Sequence, residues 1–572
     1  KKMKHFLIFS LFLQLNYAQS ELSTVEKIIH HKKNKDDTSN HLTMLILDEL
    51  KSKIDRRNQT IFYDQSQRRR DAQGLDRYVD IEHFRIHYTL NGNHAVNNDD
   101  DDNNFIPDYI DSLSQIIKET VSIFHKKYLY NLPPSDSFYD TYQNNGGSSH
   151  YDIYLRDISS NYYGFTFPEL PAQNNGDNES SKNNIESFSY TTYLVLRNNY
   201  KDFPGNEINN LKVTFAHEYF HSIQFGYNAF EKRWLLEATA VWSEEQAYDH
   251  INDCYQFLPD WFKYPHRSLD ESGTMREYGS YIFFEYITEN IANPSIIQDI
   301  FIQSSQSKNN TIDLSHWVID NALRNNQSSF KKALNGMSVA NLILSSNDNI
   351  KGYYYPEAES YPVDSPTIFK TVDYEFNNPI QLSSNQLDRY GSQYIDVNTL
   401  SPIFIELFNK SGPDSDLQMN NIIEKNDGSY LIISSSSINI DPQGTKRIFL
   451  SIVSQDTVSS EWNYSIEFQN GKPGTRAEFP KEFILTNAYP NPFNNSLKFN
   501  INVLKPALID IYIADILGRR IRNLFYGEIV PGTQLVSWDG RSQGFKKVAS
   551  GIYYIIAKGN YTEQRIPVTL MK

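Results

Sequence analysis

Residues 214–245 read TFAHEYFHSIQFGYNAFEKRWLLEATAVWSEE, and this stretch decides how the rest of the chain is interpreted. It contains His217, Glu218 and His221 in the order H-E-x-x-H. Residues four apart share one face of an α-helix, so both imidazoles are predicted to reach a single metal ion. Glu218 would then lie beside a metal-bound water and accept its proton.

A tetrahedral zinc site needs one more protein ligand and keeps its last position open for water. Glu237 follows His221 after fifteen intervening residues and lies in a predicted amphipathic helix at 234–245. A carboxylate that faces inward among Trp, Leu and Ala is costly unless a metal compensates its charge. Glu237 is therefore the predicted third zinc ligand. Glu244, two turns further along the same face, is predicted to accept the second N–H of a ligand imidazole.

The two segments HEYFH and WLLEATAVWSEE resemble the motifs of gluzincin zinc metallopeptidases. The resemblance implies a zincin-like α+β catalytic domain that hydrolyses peptide bonds in protein or peptide substrates. Ala238 stands where that pattern usually has Gly. No G-x-M-E-N segment, which the aminopeptidase members use to hold a substrate amino terminus, is evident upstream. An endopeptidase is therefore expected.

Two further features of this region bear on catalysis. Tyr278 and Tyr281 lie in MREYGSYIFFEY, and a tyrosine hydroxyl can stabilise the oxyanion of a tetrahedral intermediate. Tyr278 is the candidate for that role, with packing in the core as the alternative. The alternating segment 190–197 predicts a strand, and the resemblance to metallopeptidases implies that this strand lines the cleft and pairs with extended substrate.

An acidic run at residues 97–111, NNDDDDNNFIPDYID, has the spacing of oxygen donors found in EF-hand-like calcium loops. Phe105 occupies the position where such loops need Gly for a sharp turn. A solvated acidic turn is the alternative. The predicted calcium donors are Asp100, Asp102, Asn104, the backbone carbonyl of Ile106, Asp108 and Asp111.

Composition limits the class of partner. The net charge of −15 disfavours nucleic acid or an anionic surface. The single cysteine, Cys254, excludes an internal disulfide framework. A length of 572 residues predicts several domains.

The chain divides by composition and periodicity. A basic start followed by a short apolar run predicts a secretory signal peptide, and no transmembrane segment is expected in the mature chain. The polar leader, with a helix predicted at 42–54 and an arginine triplet at 68–70, is either an inhibitory propeptide or a flexible leader. The predicted organisation is a signal peptide at 1–18, a leader at 19–76, a catalytic domain at 77–337, a β-sandwich at 338–474 and a C-terminal Ig-like β-sandwich at 480–572.

Four motifs follow one another near the C-terminus: YPNPF at 489–493, DILGR at 515–519, WDG at 538–540 and SGIYY at 550–554. Together they resemble the C-terminal sorting domain of type IX secretion substrates in Bacteroidota-like bacteria. The resemblance implies contact with the type IX secretion machinery, export across the outer membrane, and a secreted or cell-surface protein. A terminal Ig-like domain without a sorting role is the alternative.

The sequence therefore predicts a secreted, multidomain zinc metallopeptidase. A secreted adhesin or glycan-binding protein with an inert peptidase-like domain is the second hypothesis. A metal-dependent hydrolase of another bond is the third, because H-E-x-x-H determines the water chemistry and not the acyl group.

Overall fold

A computed structural model describes most of the chain after residue 41. The predicted signal peptide and the arginine triplet at 68–70 lie outside the described residues. The described part is multidomain and combines helices with several β-sheets, a mixed α+β organisation. The described ranges are 42–55, 74–136, 146–158, 162–172, 186, 188–306, 315–411, 416–455, 462–472, 483–486, 488–503, 507–559 and 563–571.

The helices lie in the N-terminal two thirds of the chain. They are α1 (Leu42–Asp55), α2 (Asp108–Val121), α3 (Glu207–Asn228), α4 (Arg233–Tyr248), α5 (Leu258–Lys263), α6 (Arg276–Gly279), α7 (Tyr281–Asn290), α8 (Ser295–Ser305), α9 (Ser315–Asn325) and α10 (Phe330–Ile343). The strands of the same region are β1 (Arg77–Ile81), β2 (Phe84–Tyr88), β3 (Tyr151–Arg156), β4 (Gly164–Pro171) and β5 (Tyr190–Arg197).

These strands form a mixed sheet in the order β1-β2-β3-β5-β4. Strand β5 pairs with β3 in parallel and with β4 in antiparallel orientation, so both of its edges are occupied. The prediction that segment 190–197 pairs with extended substrate is therefore wrong. On this side the sheet ends at β4, which follows β3 in sequence but lies outside β5, and among the described residues no strand pairs with its outer edge. This outer edge is named the free edge. Alternation identified β5 as a strand but could not show its place in the order.

Helix α3 packs on β5 and against α4. Asn206 begins α3 by accepting hydrogen bonds from the backbone N–H groups of Ile208 and Asn209 at 3.0 and 3.1 Å, which is the role of an N-cap side chain. Most residues of α3 and α4 are buried. The two helices therefore hold their polar side chains inside the protein, where each needs a partner.

A middle unit follows α10. Helix α10 continues to Ile343, so the predicted boundary between 337 and 338 falls inside it. The described strands of the middle unit are β6 (Ile368–Tyr374), β7 (Ile380–Leu387), β8 (Ser392–Thr399), β9 (Ile403–Asn409), β10 (Leu417–Lys425), β11 (Tyr430–Ser434), β12 (Ser437–Ile440), β13 (Thr445–Ser454) and β14 (Trp462–Asn470). They form two sheets, β11-β10-β13-β8-β6 and β12-β9-β14-β7, around one apolar core.

A smaller unit follows the middle unit. Its described strands are β15 (Phe483–Leu485), β16 (Leu497–Val503), β17 (Ala507–Asp515), β18 (Arg520–Ile529), β19 (Gly532–Trp538), β20 (Gly551–Lys558) and β21 (Glu563–Leu570). They form the sheets β15-β16-β19 and β18-β17-β20-β21 around an apolar core. Three of the four C-terminal motifs supply aromatic rings to that core, where the ring centroid of Trp538 is 5.3 Å from that of Phe493 and 5.2 Å from that of Tyr553.

Among the described residues, no helix combines the length and the apolar character needed to cross a membrane.

Candidate metal centre

The three predicted zinc ligands meet where α3 contacts α4. The Nε2 atoms of His217 and His221 are 3.1 Å apart. Oε2 of Glu237 lies 3.3 Å from the first and 3.7 Å from the second. All three side chains are buried, and their ligand atoms form a group able to hold one metal ion.

These distances fit zinc. Ligand atoms placed tetrahedrally at ~2.0–2.1 Å from zinc are about 3.3 Å from one another. The observed separations of 3.1, 3.3 and 3.7 Å bracket that value. The donor set of two imidazoles and one carboxylate leaves one position of a tetrahedral ion for water or substrate.

Two further side chains orient the imidazoles. Nδ1 of His217 donates to Oε1 of Glu244 at 2.6 Å, as the sequence predicted. Nδ1 of His221 donates to Oε1 of Gln224 at 2.7 Å. With both Nδ1 atoms acting as donors, both Nε2 atoms face the same point, where each offers a lone pair when it carries no proton.

Gln224 was missed by the sequence analysis, although it lies one turn after His221 on the same helix. Its Nε2 donates to the backbone carbonyl of Leu236 and to Oγ1 of Thr239, each at 2.9 Å. Gln224 thus fixes His221 against the helix that carries Glu237. The i, i+3 spacing of His221 and Gln224 predicts that the two side chains are neighbours, but a neutral amide carries no signal of a metal centre.

Replacing Gln224 by Leu is expected to weaken zinc binding by about 10–100-fold, because His221 loses the acceptor that sets its ring orientation. Competition with a zinc-binding dye measures this change. Gln246→Leu, a glutamine on α4 that accepts a hydrogen bond from Tyr128, is the control and should leave zinc affinity unchanged. Equal zinc affinity in Gln224→Leu and the parent chain would contradict this role.

The metal-free centre holds a proton. Burial lowers the pKa of His217, but hydrogen bonds to Glu237 and Glu244, together with their charges, outweigh burial and raise it to about 10. Burial raises the pKa of Glu244 to about 7, with the hydrogen bond to His217 acting against burial. A proton on the imidazole, between two carboxylates, is the arrangement that both shifts favour. A metal ion must displace this proton.

Glu218 points to the free-edge strand β4. Oγ1 of Thr166 donates to Oε2 of Glu218 at 3.0 Å and to its backbone carbonyl at 2.6 Å. Oε2 of Glu218 also accepts a hydrogen bond of 2.7 Å from Oγ1 of Thr43. Thr43 belongs to helix α1, in the segment predicted to be a leader, so the carboxylate of the candidate general base already accepts a hydrogen bond from another part of the chain.

Thr43 also contacts the edge of the sheet, since its Oγ1 accepts a hydrogen bond of 2.9 Å from the backbone N–H of Thr166. The side chains of residues 42–47 are all buried. Leu42, Leu45 and Ile46 pack with Phe165 and neighbouring side chains of the sheet in one apolar cluster. The sequence analysis identified this helix but could not show where it docks.

Charged side chains hold the leader helix further along. Lys51 Nζ donates to the backbone carbonyl of Glu231 at 3.0 Å. Asp48 Oδ2 lies 3.7 Å from Nη1 of Arg233, one turn before Glu237 on α4. Arg233 also donates to both carboxylate oxygens of Glu277 at 2.7–2.9 Å. These contacts tie α1 to the helix that carries the third ligand.

Tyr278 lies beside the centre. Its side chain is buried and its ring stacks on Phe257 with centroids 5.2 Å apart. Burial, and then the negative charge of Glu237, raise its pKa well above the usual range. The hydroxyl therefore keeps its proton and remains able to donate, as an oxyanion partner must.

The acidic loop takes a turn like the one that the calcium pattern requires. Phe105 has a φ of 69°, the left-handed conformation for which glycine is usual. The carboxylates of Asp100, Asp102 and Asp111 each accept a hydrogen bond of 3.0–3.1 Å from the backbone or side chain of Asn104. Asp108 accepts one from the backbone of Asp101 at 3.1 Å. Calcium binding at this loop stays a prediction.

Comparison with known proteins adds little. No family model and no curated protein matches the sequence. Solved structures give partial likenesses: PorZ, a surface component of the type-IX secretion system of Porphyromonas gingivalis (18% identity over 26% of this chain, TM-score 0.12), and latent PorU of the same organism (13% over 34%, TM-score 0.15). A β-1,2-glucanase from Parabacteroides distasonis is a third, with 10% identity over 31% of this chain, 29% of that chain and a TM-score of 0.12.

The aligned parts span only 22% and 20% of the PorZ and PorU chains. At such TM-scores these likenesses carry no argument about fold or function.

Proposed function

We propose that this chain is a zinc-dependent peptidase, of the gluzincin type that its motifs resemble, held latent by its leader helix. The observation that carries the proposal is the tetrahedral spacing of His217, His221 and Glu237, with Glu218 beside the first ligand. Zinc bound there would lower the pKa of a bound water toward neutrality.

Each residue has a separate task in this proposal. His217, His221 and Glu237 hold the metal, while Glu244 and Gln224 orient the imidazoles. Glu218 accepts the proton of the attacking water and later passes it to the leaving amine. Tyr278 donates a hydrogen bond to the substrate oxygen that gains negative charge.

The free edge of β4 supports a peptide as the substrate. An extended chain binds a sheet edge through backbone hydrogen bonds. The backbone N–H of Thr166 points out from that edge, where it donates a hydrogen bond to the hydroxyl of Thr43. A peptide in the same place would lie next to Glu218, which Thr166 also contacts. An adhesin or a hydrolase of another bond has no comparable feature in its favour.

Metal content of the full chain tests the proposal without depending on activity. About one zinc per chain is expected by elemental analysis at pH 8, with loss in His217→Ala. His250→Ala, at an exposed position outside the centre, is the matched control and should keep its zinc. Zinc affinity should rise with pH up to about 10, because the proton held by His217 must leave. A parent chain that takes up no zinc would favour the adhesin or glycan-binding hypothesis.

The C-terminal motifs support a proposal on location. We infer that the terminal unit is a sorting domain that directs the chain through the type IX secretion machinery to the exterior or the cell surface. The support is the order and number of the motifs. Three of them also meet in the core of this unit, as expected for residues that define a domain.

A further inference from the structure

Five carboxylates lie close together at the C-terminal end of α4. Glu245 follows Glu244 directly, Asp249 lies in the turn after α4, and Glu285 and Glu289 lie one turn apart on α7. Glu357 comes from the segment before the middle unit. One oxygen each of Glu245, Asp249 and Glu357 lies within 4.8 Å of the others. These five residues are named the carboxylate cluster.

The cluster has no cationic partner. Among the described residues, none of the five carboxylates forms an ion pair with Lys or Arg. The hydrogen bonds to the cluster include Cys254 Sγ to Glu245 Oε2 at 3.2 Å and Tyr255 Oη to Glu357 Oε2 at 2.7 Å. So much negative charge without a cation is unfavourable away from water.

Three buried oxygens of the cluster have no hydrogen-bond donor, although Glu285 also interacts with Gln246 through a side-chain hydrogen bond. Oε1 of Glu245, Oε1 of Glu285 and Oε2 of Glu289 are inaccessible to water and accept no hydrogen bond from the described residues. Glu285 is 4% exposed and Glu245 is 7% exposed. Such groups normally pair with a cation or coordinate a metal. These oxygens point to a ligand that the protein chain does not supply.

Protons would be the alternative to a cation. Burial, and then the charges of Glu289, Glu245 and Glu357, raise the pKa of Glu285 well above its usual range. Burial and neighbouring carboxylates raise the pKa of Glu245 and of Glu289 to about 8. Without a metal ion the cluster is thus partly protonated at neutral pH, whereas a divalent cation would allow all five carboxylates to ionise.

We propose that the carboxylate cluster is a calcium site. Its donors are carboxylate oxygens, the ligands that calcium prefers, and bidentate carboxylates readily supply the six to eight oxygens it takes. No histidine belongs to the cluster, and burial keeps the thiol of Cys254 protonated by raising its pKa, which disfavours zinc. Asp249 is exposed and Glu357 half-buried, so the site opens to solvent on one side and an ion can enter.

The site would brace the helix that carries the third zinc ligand. A cation bound by Glu245, Asp249 and Glu357 would tie the end of α4 to the segment beyond α10. The proposal stands on the cluster alone and does not rest on the peptidase function.

Calcium binding is tested by equilibrium dialysis of the full chain in chelator-treated buffer, with calcium and zinc measured in the same samples. The background is Asp102→Asn with Asp111→Asn, which removes two donors of the acidic loop. This background is expected to keep about one calcium per chain. Adding Glu245→Gln and Glu357→Gln, which removes two of the three carboxylates that can reach one ion, should abolish calcium binding and leave zinc content unchanged, because neither residue is a zinc ligand.

Thermal unfolding supplies a second reading. Calcium should raise the Tm of the background variant and not that of the Gln variant, and without calcium the Gln variant should melt no lower than its background. If that double substitution fails to fold, Asp249→Asn alone, at an exposed position of the same group, should weaken calcium binding at least about tenfold. A background variant that binds no calcium at millimolar concentration, or Gln variants that bind it as tightly, would overturn the proposal.

Discussion

Release of the leader helix α1 is expected to raise the rate at which the chain cleaves an unfolded protein by on the order of 10²-fold, because a site that is open about 1% of the time loses that factor. Two hydrogen bonds would cause the proposed latency. The Thr43 hydroxyl donates to the carboxylate of Glu218, and the same hydroxyl accepts from the backbone N–H of Thr166. Limited proteolysis between residues 56 and 73, followed by separation of the leader, gives the released protein for the comparison.

The leader should also inhibit as a separate peptide. A synthetic peptide of residues 42–55, LTMLILDELKSKID, is expected to inhibit the released protein. A peptide with Thr43→Val should bind about 10–100-fold more weakly, because a hydrogen bond to a charged group is worth about 1.5–3 kcal/mol. In the intact chain, Thr43→Val should raise basal activity. Thr120→Val is the control, since that buried threonine bonds instead to Tyr248.

The two halves of this proposal can fail separately. Calorimetry reports whether the peptide binds, whatever the activity. If the peptide binds to a zinc-loaded protein that cleaves no substrate, the docking of α1 is supported and the peptidase function is contradicted. If the released protein is active but no faster than the intact chain, the latency is contradicted and the peptidase function is supported.

Glu218→Gln is expected to lower kcat/KM of the released protein by about 10²–10⁴-fold, the usual contribution of a general base. The amide keeps the shape of the side chain but cannot accept the proton of water. Zinc content should not change, because the ligands are His217, His221 and Glu237. Glu375→Gln, an exposed position in the middle unit, is the matched control. Undiminished cleavage by zinc-loaded Glu218→Gln would exclude the assigned role.

The parts of the site that the sequence predicted are those set by local geometry. His217 and His221 share a helical face, and the spacing of Glu237 and Glu244 by seven residues places both on one side of α4. These relations depend on the helical repeat alone. The structure places all four side chains together with distances of 2.6–3.7 Å between neighbouring atoms.

The parts that the sequence could not give depend on long-range order. Thr166 reaches Glu218 only because β4 lies outside β5, and no local pattern reports strand order. Thr43 is 175 residues from Glu218 in sequence. The periodicity of its segment predicts a helix but not the surface on which that helix docks. The carboxylate cluster joins α4, α7 and residue 357, so its members look like ordinary solvated acids when read one at a time.

The free edge of β4 has a second consequence if α1 is released, as the proposed function requires. A strand edge without a partner invites pairing with any other extended chain, including another copy of the same protein. While α1 is docked, Thr43 in its first turn accepts the hydrogen bond of the Thr166 N–H and covers part of this edge. After release, the surface proposed to admit substrates would also be open to other copies of the chain. Activation would then increase both cleavage and the tendency of the protein to self-associate or to digest itself.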